Sequence, residues 1–169
     1  MTGGKPLIAT PAQTVGPFFH FGLTREPRGR MVDAAPEGEM LRLSIRVFDG
    51  ETQPVNDAMV ELWHDGAFGR MPTGADGACE FEMRAPRPKQ NPPQLPHTNV
   101  CLFARGLLRH VFTRMYFAHP AQLADDPVLA LVAEDRRRTL LAEQDGSDPG
   151  RWTFEIHLQG TRETVFFDL

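Results

Sequence analysis

Three short stretches carry side chains of the kind that can do chemistry. In 97-HTN-99, residues two apart on a strand would put His97 and Asn99 on one face, the spacing of a two-ligand metal clamp with an amide in the second position. In 102-LFARG-106, Arg105 shares a strand face with Cys101 and Phe103 if Val100, Leu102 and Ala104 face a core. In 14-TVGPFF-19, a turn-forming Gly-Pro pair sits among apolar residues, an unusually specific string for an N-terminal arm.

The other titratable residues form no recognisable pattern. The six histidines, His20, His64, His97, His110, His119 and His157, make no HxH, HExxH or similar pair. Each reads as a structural or surface residue, with His157 on the outward face of its strand and therefore solvated. The acidic residues are dispersed and nominate no acid/base pair. Ser44 and Ser147 lack a nucleophile-elbow context, and no glycine loop is suited to a phosphate. A free-standing catalytic site is not visible. Arg105 has two readings on sequence alone: a rim residue snorkelling past aromatics, or a cation aimed at an anionic ligand or partner. The arm string has a bland reading too, aromatics tucked onto a sheet.

The elements that must position these residues show a period of two. Leu41, Leu43, Ile45 and Val47 alternate with Arg42, Ser44 and Arg46. Similar runs occupy 58–63, 79–83, 99–105, 109–117, 151–158 and 164–169, with breakers at Asp49-Gly50, Asn56-Asp57, Asp76-Gly77 and Gly160. This predicts an all-β fold, an antiparallel β-sandwich of about seven to eight strands, as a single domain over 1–169 with residues 1–35 as an extended arm. Asp126-Pro127 resembles a helix start and Asp145-Gly146 a stop, which predicts one or two short helices near 121–144. Residues 86–96 hold five prolines and are expected to be irregular.

Composition narrows the function classes. The chain has 169 residues, 41% hydrophobic and 24% charged, with a net charge of −4. That balance gives no electrostatic reason to bind nucleic acid or an anionic membrane. No apolar run approaches the ~20 residues of a spanning helix, and 1-MTGGKPLIATPAQ-13 lacks the apolar core of a signal peptide. With Cys79 and Cys101 reading as small core hydrophobes, a cytoplasmic protein is expected.

The stretches 10-TPAQTVGPFFHFGL-23, 57-DAMVELWHDGAFGR-70, 96-PHTNVCLFARGLLRHVFTRMYF-117 and 160-GTRETVFFDL-169 resemble, in order and over nearly the whole chain, the intradiol ring-cleavage dioxygenases. Among these they are similar to the alpha-type chains that work beside an iron-bearing beta chain on protocatechuate. The resemblance implies a β-sandwich that opens an aromatic ring between adjacent hydroxyls with Fe(III) and O2. The family's catalytic chains hold iron with two tyrosines and an HxH pair. Here the single tyrosine, Tyr116, stands away from either tyrosine position, and His97-Thr98-Asn99 aligns with the histidine pair. The resemblance therefore implies a vestigial metal site at His97 and Asn99, with the Fe(III) bound by the partner beta subunit. It also implies that Thr14, Gly16 and Pro17 line the partner's cavity and that Arg105 points into it, near protocatechuate and its product, in a higher oligomer of alpha–beta pairs. Phe18 stands where a tyrosine is frequent, and the segment between Trp63 and Asp76 is shorter than usual. The alternative is a non-catalytic binding or scaffold module of the same family.

Overall fold

The computed structural model describes residues 9–16, 18–31 and 38–168. Pro17, the first eight residues, residues 32–37 and Leu169 lie outside the described residues. The arm has no regular structure over 9–16, makes a helical turn at Phe19–Leu23 (α1), and then runs along the edge of the sandwich.

Two four-stranded sheets follow. The first is formed by Met40–Phe48 (β1), Ala78–Arg84 (β4), Glu143–Gln144 (β9) and Arg151–His157 (β10) in the order β4-β1-β10-β9. The second is formed by Met59–His64 (β2), Ala67–Pro72 (β3), His97–Phe103 (β7) and Val111–Tyr116 (β8) in the order β3-β2-β7-β8. The expected sandwich is present. Among the named strands β1 and β10 run parallel, with Ile45 opposite Phe154, while the other pairs are antiparallel.

Alternation does what the sequence predicts in the first sheet. Leu41, Leu43, Ile45 and Val47 of β1, Cys79, Phe81 and Met83 of β4, and Phe154 and Ile156 of β10 are buried. They meet Val60, Leu62, Val100, Leu102 and Met115 of the second sheet in one hydrophobic cluster. Each such aliphatic side chain contributes about 1.5–3 kcal/mol on leaving water.

Elsewhere the structure corrects the sequence reading. β3 was not foreseen; it returns from β2 through Asp65 (φ 43°) and Gly66 (φ 87°), the two left-handed residues of a two-residue hairpin turn. The proline-rich segment forms a small hairpin, Lys89–Gln90 (β5) with Pro93–Gln94 (β6). Residues 164–168 are not a strand but a crossing segment: Thr164 bonds to His157, Thr113 donates its hydroxyl to the Val165 carbonyl, and Phe167 N–H bonds to Phe112. That segment folds over His157, which is 5% exposed, stacked on Phe48 and bonded to Glu155, not solvated. The helical region comprises three 3-10 segments, Pro120–Asp125, Leu129–Leu131 and Glu134–Leu140. Asp126 Oδ1 accepts from the N–H groups of Val128 and Leu129, closing the turn ahead of the second segment, whose N-cap is Val128 rather than Asp126. Short turns rather than a continuous helix bring Leu123, Leu129, Val132 and Leu140 down onto Tyr116.

Residues 28–31 hold the two sheets' outer strands together. Arg28 exchanges both main-chain bonds with Arg70 of β3, while Met31 donates to the Glu82 carbonyl of β4 and Glu82 donates to the Gly29 carbonyl. Met31, 2% exposed, lies over Gly69, where an added Cβ would stand 2.7 Å from Met31 Cγ and 3.0 Å from the Arg28 carbonyl oxygen. Gly69→Ala is therefore expected to destabilise the chain by about 1–3 kcal/mol, read as a lower urea midpoint with an unchanged slope. Gly16→Ala, with nothing within 4 Å of the added methyl, should leave the midpoint in place.

Candidate functional site

β7 carries a candidate residue at each end, and the two ends differ in kind. At its start, His97 is 4% exposed and faces Tyr116 of β8 across the ladder, with ring centroids 5.3 Å apart. His97 Nδ1 lies 2.7 Å from the Leu95 carbonyl oxygen, so the ring N–H there donates to it. Nε2 is buried without a partner among the described residues. Burial holds the imidazole pKa below its ordinary value, against the opposing pull of the Leu95 carbonyl.

Tyr116 is thus beside His97, but its hydroxyl is committed elsewhere. It donates to Asp126 Oδ1 at 3.4 Å and lies 3.5 Å from Arg114 Nη1. Asp126, fully buried, also accepts from the main-chain N–H of Leu95 at 2.8 Å. Burial pushes the Tyr116 pKa up to about 12, against a hydrogen bond from Arg114 that lowers it. Asn99, two residues along, is exposed. Ferric iron needs hard anionic or imidazole donors converging on one point. A protonated phenol turned to a carboxylate, one imidazole and an exposed amide do not supply them. Among the described residues no group of three or more His, Cys, Asp or Glu could hold a metal. The residues here do not fit the ion.

At the other end, the turn after β7 meets the arm. Gly106 N–H donates to Thr14 Oγ1 at 2.8 Å, a contact between residues 92 apart in sequence. Arg105 lies just past the strand, with its side chain 55% exposed, and its Nε–H donates to Asp57 Oδ2 in an ion pair. Val15 lies in the shallow groove formed by Phe103, Leu107 and His110. Gly16 is exposed, and Phe18 and Phe21 project at 75% and 60% exposure. The structure therefore brings Thr14, Gly16 and Arg105 to one exposed corner, well away from His97 and Asn99.

Two residues, one holding this corner and one holding the arm, escaped the sequence reading. Asp57 reads as half of an Asn-Asp turn, and nothing local reveals its partner 48 positions on. Glu61, 7% exposed on the outer face of β2, accepts from Arg70 Nε at 2.8 Å and pairs with Nη2 at 2.6 Å. The same guanidinium donates to the Leu23 carbonyl at 3.4 Å and lies over the Phe68 ring. Arg70 thus ties the end of α1 to the second sheet. A separate cleft of about 400 Å³, lined by Arg136, Arg138 and His157, borders β10 and contains none of the candidate residues.

No family model matches the chain. It is 39% identical to the protocatechuate 3,4-dioxygenase alpha chain of Burkholderia cepacia, over 96% of this chain and 98% of that one. It is 27% identical to the beta chain from the same organism, over 90% of this chain and 77% of that one. Among solved structures it is similar to the dioxygenase domain of a carbohydrate-binding fusion protein from Streptomyces sp. SirexAA-E. The TM-score is 0.63 at 22% identity, covering 82% of this chain and 89% of that one, a likeness of fold.

Because the chain has one tyrosine, phenolate absorption near 295 nm reports Tyr116 alone. The folded protein should show little phenolate until the pH approaches about 12. The unfolded tyrosine ionises near 10, so between these values the native state holds the extra proton and stability falls as pH rises. An inflection near pH 10 in the folded chain would contradict the burial of this hydroxyl and reopen the question of a phenolate ligand.

Proposed function

Since this chain belongs to the family of protocatechuate 3,4-dioxygenase alpha chains, we propose that it completes an intradiol ring-cleavage site whose Fe(III) is bound by a partner beta subunit. The observation that supports this most is the contrast between the ends of β7. The His97 end carries donors that cannot gather an iron, while the Arg105 end offers an exposed cation and a pinned arm.

In this reading Thr14, Gly16 and Pro17 line the beta chain's cavity, although Pro17 lies outside the described residues, and Arg105 faces the substrate. Protocatechuate carries a carboxylate, and cleavage between its hydroxyls with O2 gives 3-carboxy-cis,cis-muconate, with two more carboxylates. A guanidinium beside these groups concentrates the anion and holds its orientation by charge-assisted hydrogen bonds. The exposed Phe18, Phe21 and Leu23 of the arm, with Trp63 on the outer face of β2, supply apolar area for the beta chain to cover. The alpha–beta pairs associate into a higher oligomer. We assign the assembly to the cytoplasm; no helix among the described residues is long and apolar enough to cross a membrane.

Steady-state kinetics on intact alpha–beta complexes test the role of Arg105. Arg105→Leu should lower kcat/KM for protocatechuate by about ten- to a hundredfold, the equivalent of one lost charge-assisted hydrogen bond of about 1.5–3 kcal/mol. Iron content should not change. Arg114→Leu, which removes contacts to Gln94 and Tyr116, should lower stability without a selective loss of turnover. An Arg105→Leu complex that assembles, keeps its iron and turns over at the wild-type rate would make this chain's role structural.

A further inference from the structure

We propose that Asp57 is a positioning residue for Arg105, fixing how the guanidinium is presented to the carboxylates of substrate and product; this rests on the role given to Arg105 above. The geometry that points to it is the choice of donor. Asp57 Oδ2 takes the Nε–H, the inner edge of the guanidinium, and among the described residues neither Nη has an acceptor. A guanidinium bonded through Nε still presents the Nη1–Nη2 edge, whose parallel N–H groups match a carboxylate in bidentate fashion. An unrestrained arginine at 55% exposure would spread over many rotamers, and ordering it at the moment of binding would weaken each contact.

Asp57 can act as a mount only if it is itself held, and it is. The turn that carries it is clamped by Thr73, which is 6% exposed. The Thr73 hydroxyl donates to the Val55 carbonyl at 2.7 Å and accepts from the Ala58 N–H at 3.0 Å, so one side chain bonds the backbone on both sides of Asp57. Thr73 N–H also donates to the Ala58 carbonyl at 2.9 Å. On the other side of the pair, Arg105 stands between Ala104, 1% exposed, and Gly106, whose N–H is bonded to Thr14. Both ends of the ion pair are therefore anchored to the sandwich, although the pair itself lies at the surface.

The charge of Asp57 has a second effect. It offsets the long-range attraction of Arg105 for an anion, so the pair favours orientation over affinity. A bare guanidinium would hold a carboxylate substrate more tightly than the pair does. Loss of the aspartate should therefore change kcat and KM differently, which a purely structural residue would not do.

The test uses intact, iron-loaded alpha–beta complexes carrying Asp57→Ala, Asp57→Asn, Arg105→Leu, or Asp57→Ala with Arg105→Leu. Asp57→Ala should lower kcat about tenfold through misorientation, with KM for protocatechuate unchanged or lower. Asp57→Asn keeps an oxygen that accepts from Nε and removes the charge. It should recover kcat to within about threefold of wild type while KM falls. In the Arg105→Leu background, Asp57→Ala should have no further effect on kcat/KM, because its action passes through the arginine. If Asp57→Ala has wild-type kcat while Arg105→Leu is impaired, Asp57 is only a surface ion-pair partner and the inference is overturned. If Arg105→Leu is itself unimpaired, the reading beneath it falls first and this one with it.

Discussion

The main-chain bonds of residues 28–31 to both outer strands are the constraint on which the rest of the chain depends. β3 and β4 are each an edge strand of their sheet, opposite β8 and β9, and an unpaired edge is a template for unwanted pairing. One short segment satisfies both, through Arg70 and Glu82, and buries Met31 in the gap between the sheets. Because the segment is fixed, the chain leading into it is directed along the second sheet. Arg70 then fastens the Leu23 carbonyl from the same side. A flexible arm would lose much of its interaction energy to ordering; one fastened at 23 and 28–31 and again at Thr14 has lost most of that freedom before a partner arrives.

The two ends of β7 then take different parts. Eight residue steps separate His97 from Arg105, on the order of 25 Å along an extended chain. The two positions therefore cannot serve one small substrate within this chain. The buried cluster of His97, Tyr116 and Asp126 stabilises the junction with the 3-10 segments, where Asp126 satisfies three main-chain N–H groups. The Arg105 corner, by contrast, has a cation at the surface and aromatic rings in water. A charged and apolar surface of that kind makes sense when another chain covers it.

The strands with one buried face were legible because their alternation is determined by a single local requirement. β1, β4 and the first part of β10 follow it closely. β3 was not legible: AFGRMP has a glycine under Met31 and a proline at its end, which interrupt the apolar pattern, although the Asp65-Gly66 turn ahead of it was a usable signal. His157 obeys the alternation and is still buried, because the segment that covers it arrives from further along the chain. The candidate site shows the same division. Thr14 and Arg105 could be singled out by residue type and resemblance. Asp57 and Thr73, which hold the corner in place, and Glu61, which holds Arg70 against the arm, act through contacts 48, 15–18 and 9 residues distant, and no local pattern encodes them.

In the proposed reading this chain contributes side chains, and no iron, to a site held by its partner. The most direct measurement adds the purified alpha chain stepwise to a purified, iron-loaded beta chain, and follows ring cleavage and iron in each species. The alpha chain alone should retain no stoichiometric iron after mild chelation. The beta chain alone should turn over protocatechuate poorly, and the rate should rise to saturation at one alpha per beta with total iron unchanged. A beta chain already at full rate without its partner, or tightly held iron in the isolated alpha chain, would contradict it.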